Sequence, residues 1–199
     1  SGAAGPPQGY NYVGPHDYVL DRHQPAPEPQ ELDAEQREYL QRMAEPCGLL
    51  RPQQCFSNSM NLLWVDTEHE GRLQYVEGYF HRGLLPVLHG WLLLDGLLVD
   101  VTRSLRPEAL DEFFEGKDPQ RCLSDRVLGV VPEGWAYVGV PVRTAEVLEY
   151  MERFDSIGSR IDCPDMDYDL LRQERRSQVD WAALVEPFSA RIGGLHTPL

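Results

Sequence analysis

The most constraining stretch is Val87-Leu-His89-Gly-Trp91-Leu-Leu-Leu-Asp95-Gly96-Leu-Leu-Val-Asp100-Val-Thr102. Two apolar runs flank Asp95-Gly96, a dipeptide that forms a two-residue turn because Gly accepts positive φ. The segment therefore predicts an antiparallel hairpin, strands 87–94 and 97–101, with Leu94 opposite Leu97. In that register Trp91 faces Asp100 and His89 faces Thr102. Alternate residues share a face, so His89, Trp91 and Asp100 lie together, with His89 and Asp100 as diagonal neighbours. A slip of one residue would put the histidine and the aspartate on opposite faces.

Asp100 in Leu-Leu-Val-Asp-Val is costly to bury unless paired, and His89 is the partner the register supplies. A carboxylate bonded to one imidazole nitrogen fixes the tautomer and leaves the other nitrogen free for a nucleophile. Cys55 is the candidate. Pro52-Gln53-Gln54-Cys55-Phe56 precedes an apolar-faced helix predicted over 55–65. A thiol at a helix start is favoured as thiolate by unpaired N–H groups, the helix dipole and a nearby imidazolium. The same N–H groups can hold an oxyanion with one added side-chain donor, for which Gln53, Gln54 and Asn58 are the candidates. Tyr79 and Trp91 are candidates for lining a substrate groove.

The rest of the chain frames this stretch. Residues 1–30, rich in Pro, Gly and Gln, read as an arm, with Tyr10, Tyr12, Tyr18, Val19 and Leu20 as points where it could dock. Residues 31–192 read as a single domain and 193–199 as a tail. A helix is expected over 33–44, with Asp33 and Gln36 at capping-box spacing and Pro46 as its stop. Strands are expected over 73–81, 126–131 and 135–140. Further helices are expected over 107–115, 145–154 (capped by Thr144), 168–176 and 179–190.

The 32 acidic against 18 basic residues give −14. That balance argues for solubility and against nucleic acid or an anionic membrane as partner; attraction to a basic substrate is the narrower reading. The 4 cysteines form no CxxC pair, which gives a zinc site little support, and a chain with its own core needs no disulfides, so reduced thiols are expected. Cys47, Cys122 and Cys163 are read as structural, His81 as the rival of His89, and the acids at 162, 165, 167 and 169 as lacking a calcium-loop pattern. No run approaches the roughly 20 apolar residues of a membrane span. A cytoplasmic setting is expected, with secretion as an effector the alternative.

Four short motifs in order, Cys55, Val76-Glu77-Gly78-Tyr79, His89-Gly90-Trp91 and Val99-Asp100-Val101-Thr102, resemble the transglutaminase-like branch of the papain-like cysteine enzymes. That family has C-x₃-A on a helix, then V-x-G-Y, H-A-W and V-D-P-T-like strand ends. Here Ser59 stands where the family has a small helix residue, Gly90 replaces the usual Ala, and Val101 replaces the usual Pro. An Ile-Pro-Ala-Arg-like lead into the strand is absent. Leu49 occupies the position of the papain-type oxyanion glutamine. The resemblance covers residues 54–102. It implies an α+β papain-like core, with an antiparallel sheet, a Cys-bearing helix packed on it and added C-terminal helices. It also implies acyl transfer through a thioester, without a cofactor: Cys55 attacks, His89 moves the proton and Asp100 orients His89. Hydrolysis of an amide in a protein or peptide leads. Transamidation or glutamine modification by an effector is the alternative, and a non-catalytic binding module on the same fold is the other class. The oligomeric state is left open.

Overall fold

The structure is a computed structural model of the 199-residue chain and describes residues 11–12, 14–48, 50–82, 85–104, 126–154 and 158–161. Its elements are α1 (Pro15–Arg22), α2 (Ala34–Cys47), α3 (Cys55–Thr67), β1 (Leu73–Arg82), β2 (Val87–Leu94), β3 (Leu97–Ser104), β4 (Arg126–Leu128), β5 (Trp135–Pro141) and α4 (Thr144–Arg153). The fold is α+β. Its 5-stranded antiparallel sheet has the order β4-β3-β2-β1-β5, so the hairpin read from sequence supplies the central strand, β2. The helices expected over 107–115, 168–176 and 179–190 lie outside the described residues, as do Cys122, Cys163 and the acids at 162–169.

The turn is as expected. Asp95 has φ 50 and Gly96 φ 85, both left-handed as a type I′ turn requires. Leu94 pairs with Leu97, Leu93 with Leu98 and Leu92 with Val99. Outside help holds the turn: Arg72 pairs with Asp95 and Glu35, and the Gln36 amide donates to Asp95 at 3.0 Å. Gln36 also completes the capping box of α2 by exchanging hydrogen bonds with Asp33.

Strand alternation divides the core. Tyr75, Leu92, Leu94, Val99 and Val101 face α2, α3 and α4 and form the main cluster with Leu40, Met43, Met60, Leu62, Leu63 and Val147. Val76, Phe80, Trp91, Leu98, Val127 and Tyr137 form a second cluster on the opposite face. Across that face runs an extended strap of the arm. Gln24 N–H donates to the Gly139 carbonyl on β5, and Gln30 N–H to the Gly129 carbonyl just past β4. Between those anchors, Pro25, Ala26 and Pro27 border the same small cavity as Trp91 and Tyr137. Proline suits a strap, because its preset φ lowers the entropy lost on docking.

Several sequence expectations are corrected. The arm contains a helix, α1, whose Tyr18 and Val19 close a third cluster with Tyr12 and Ile161; polar composition hid it. Pro46 does not stop α2 but sits in its last turn, and Gly48 at φ 69 ends it. A missing N–H costs least near a helix end, where few bonds remain to be lost. Thr144 is the first residue of α4 and not its cap, which is Arg143 with no side-chain bond. The strand expected over 126–131 ends at Leu128, before Gly129 at φ 85.

Gly90 has a local cause. A Cβ there would meet the Tyr75 hydroxyl at 2.8 Å and Phe56 Cδ1 at 3.0 Å. Both neighbours are held by burial or by the helix, so neither yields easily. Gly90→Ala, which restores the residue usual in the resembling family, is expected to destabilise the fold by about 1–3 kcal/mol in urea unfolding through overpacking. An unchanged midpoint would show that Tyr75 and Phe56 have room to move.

Candidate active site

Asp100 is built in by its own strand. β3 pairs with β4 at Asp100↔Val127 and next at Ser104↔Arg126, with an irregularity between. Such a bulge frees N–H groups from the ladder. Thr102 N–H donates to Asp100 Oδ1 at 2.9 Å and Arg103 N–H at 3.1 Å. On the other oxygen, Tyr137 Oη–H donates to Oδ2 at 2.8 Å and His89 Nε2–H at 2.6 Å. Asp100 is completely buried, yet both its oxygens have donors. Burial raises the acid, but His89, the Thr102 N–H and the Tyr137 hydroxyl outweigh it and hold the carboxyl below its usual range.

His89 lies among Phe80, Trp91 and Tyr137, its ring 5.6, 6.2 and 6.2 Å from theirs. Burial pushes its pKa down. The Asp100 carboxylate and its hydrogen bond push it up, the neighbouring Cys55 side chain adds to this, and the balance stands at about 9. With Nε2 given to Asp100, Nδ1 is the nitrogen left for the sulfur.

The helix and the histidine belong to opposite faces of the sheet, and the way they meet was not foreseen. The β2–β3 ladder stops at Leu92↔Val99 although both strands continue. The expected pairs Trp91–Asp100 and His89–Thr102 are therefore not ladder pairs, and the first turns of α3 take their place. Ser59 Oγ–H donates to the Gly90 carbonyl at 3.2 Å, which a continued antiparallel ladder would offer to Val101. Asn58 Nδ2 donates to Thr102 Oγ1 at 3.0 Å and to the Arg51 carbonyl at 2.7 Å, while its Oδ1 accepts from Arg51 N–H at 3.1 Å. Parted strands thus let α3 present Cys55 to a histidine that projects to the other side.

Both amide protons of Asn58 are committed, so it acts as a brace between the loop before Cys55 and β3. Gln53 and Gln54 are exposed. Gln53 has φ 63, a left-handed backbone that costs a non-glycine residue about 1–3 kcal/mol. Gln54 is the helix N-cap without using its side chain to cap. The two groove candidates lie on opposite faces of the sheet. Trp91 is buried against Gly139, where a Cβ would meet its Cη2 at 2.4 Å. Tyr79 turns to the α1 side and meets His16 edge-on at 5.0 Å. His81 stands in the β1–β5 ladder opposite Ala136, and it is His89 that meets Asp100. Cys47 is half-buried, with its thiol pushed up to about 11 by burial.

Cys55, His89 and Asp100 retain 7, 1 and 0% of their surface. Next to Cys55 along the chain, Gln53 and Gln54 are exposed and Phe56 and Ser57 half-buried.

Sequence reasoning missed Tyr137, Glu77 and Tyr75. The Tyr137 hydroxyl is the side-chain donor that, beside His89, fixes Asp100. Glu77, buried on the helical face, accepts from Tyr75 Oη at 3.1 Å, Arg160 N–H at 3.1 Å, Ile161 N–H at 2.9 Å and Ser159 Oγ. Burial raises its pKa despite these donors. The acid ties residues 159–161 to β1 and, through Tyr75, borders the turn of α3 that bears Cys55. An acid at an inward position of β1 was the signal available in the sequence.

Among the described residues no group of acids, histidines and cysteines is arranged to hold a metal ion, and no helix is long and apolar enough to cross a membrane. No family model, curated protein or solved structure matches the chain.

Proposed function

We propose that the chain is a thiol acyl-transfer enzyme of transglutaminase-like, papain-like type that hydrolyses an amide bond in a protein or peptide. The observation that carries this reading is the fully bonded Asp100 holding His89 by Nε2, with Cys55 at a helix start within reach of the ring.

The Cys55 sulfur attacks the amide carbonyl and forms the C–S bond, with its proton held on His89. The oxyanion is met by the free N–H groups at the start of α3, with Gln53 or Gln54 as the added donor. The C–N bond breaks as His89 gives its proton to the departing amine. Water then attacks the thioester, its proton passes to His89, the C–S bond breaks, and acid and thiol are released. An amine in place of water gives transamidation, and a glutamine side chain as acyl donor gives deamidation.

The near-complete burial of Cys55 favours the second reading, a binding module that keeps the triad without turnover. Incubation with a mixture of peptides and quenching into hydroxylamine separates these readings by mass. Trapped hydroxamates and cleaved or deamidated products that vanish in Cys55→Ala support the enzyme. Peptide capture without any mass change in substrate or protein favours the module.

A further inference from the structure

Acids outnumber bases 32 to 18 in this chain, so its arginines should find carboxylates easily. Most described arginines pair with a carboxylate or are otherwise engaged. Arg51, Arg82 and Arg103 have no carboxylate partner among the described residues. All three belong to the segments that build the candidate active site: Arg51 precedes Cys55, Arg82 ends β1 beside the start of β2, and Arg103 follows Asp100.

Two of them are mounted on the aromatic wall of His89. Arg103 Cζ lies 4.5 Å over the Phe80 ring and Arg82 Cζ 5.0 Å over Trp135. Phe80 and Trp135 meet edge-on at 5.2 Å, and Phe80 lies 5.6 Å from the His89 ring. The Arg103 guanidinium is thus within about 10 Å of the imidazole, on the scale of a Debye length in physiological salt. Its Nε is buried without a partner, so ring stacking and not an ion pair holds it. A stacked guanidinium keeps its edge donors for a planar anion and loses little freedom on binding one.

We propose that the acyl donor taken by Cys55 carries a carboxylate beside its reacting carbonyl, and that Arg103, with Arg82 behind it, reads that carboxylate. The carboxylate is an Asp or Glu side chain or a peptide C-terminus. The inference rests on the acyl-transfer reading and names its substrate class. It also reverses the expectation from net charge, because the local sign at the site opposes the global one.

The test compares alkylation of Cys55 in the full chain by iodoacetate and by iodoacetamide, read by mass spectrometry on the peptide bearing Cys55. In both reactions the thiolate forms a C–S bond and displaces iodide; the acid reagent adds a negative charge beside the reacting carbon. The iodoacetate-to-iodoacetamide ratio is expected to exceed that of a free cysteine by about three- to tenfold. Arg103→Gln should cut the excess to the part that the His89 imidazolium supplies, Arg103→Lys should keep more of it, and Arg37→Gln should leave it alone; an excess unchanged in Arg103→Gln overturns the proposal. Arg82 is exposed, so Arg82→Gln, with a partial fall expected, keeps the test open if Arg103→Gln does not fold. A fast reaction with iodoacetamide and a ratio no higher than that of free cysteine overturns carboxylate recognition alone. Sluggish reaction with both reagents overturns the acyl-transfer reading and this inference with it. Among peptide substrates, loss of turnover on C-terminal amidation assigns the carboxylate to a chain end, and loss on Glu→Gln assigns it to a side chain. Loss on neither overturns the proposal.

Discussion

His89→Ala is expected to slow alkylation of Cys55 by iodoacetamide at pH 6 by about 10²-fold, within the range lost with a positioned acid–base group. In the intact chain the reaction at that pH should outrun that of a free cysteine, because an imidazolium beside a helix start favours thiolate. The imidazole is poised to persist as a cation up to about pH 9, held there by Asp100 against the opposing effect of burial. Stability should carry the same signature. The folded pKa of His89 lies above the ordinary value of 6.5, so its stabilising contribution is complete below about pH 6.5 and is lost as pH rises towards about 9. The amplitude is of order 3 kcal/mol. Urea unfolding across that window should slope downwards in the intact chain and flatten in His89→Ala. Unaltered alkylation together with an unaltered slope would falsify the coupling of His89 to both Cys55 and Asp100.

What could be read from sequence here was whatever depends on neighbours along the chain. The Asp95-Gly96 turn dictated the register, the register dictated which side chains share a face, and the contact between His89 and Asp100 followed. The capping box of α2 was legible for the same reason, since Asp33 and Gln36 are three residues apart. The meeting of Cys55 with His89 was not. Face arithmetic puts them on opposite sides of the sheet, and they meet because the β2–β3 ladder stops early and Ser59 and Asn58 occupy the gap. Those bonds link residues 31 and 44 positions apart, and no local pattern encodes them. Tyr137 was missed likewise: it reaches Asp100 from the far edge strand, 37 residues on. The arm misled through composition, because a few aromatic residues among prolines suffice to dock a short helix when the domain supplies the rest of the cluster.

Asp100→Ala and Asp100→Asn should separate the structural role of the carboxylate from its positioning role. The alanine variant is expected to lose about 3–5 kcal/mol in urea unfolding, the cost typical of stripping one partner from a buried charged pair. It strands the Thr102 and Arg103 N–H groups, the Tyr137 hydroxyl and His89 Nε2, each a buried or half-buried donor without an acceptor. Asparagine keeps the shape and one oxygen, so its amide can still accept from Thr102 and Arg103, and the loss should be smaller, about 1–3 kcal/mol. Its NH₂ then faces the remaining donors. His89 resolves that conflict only by giving up its Nε2 proton, which leaves a neutral ring with its one proton on Nδ1, neither a cation to favour the thiolate nor a base to take the thiol proton. Asp100→Asn should therefore fold and yet slow Cys55 alkylation nearly as much as His89→Ala. The acid limb provides a further check. The folded pKa of Asp100 lies below the ordinary 3.8, so its contribution is present above that pH and lost as pH falls through the folded value. That fall should be absent from the stability curve of the asparagine variant. If Asp100→Asn keeps the intact alkylation rate, the carboxylate serves the fold and does not set the tautomer.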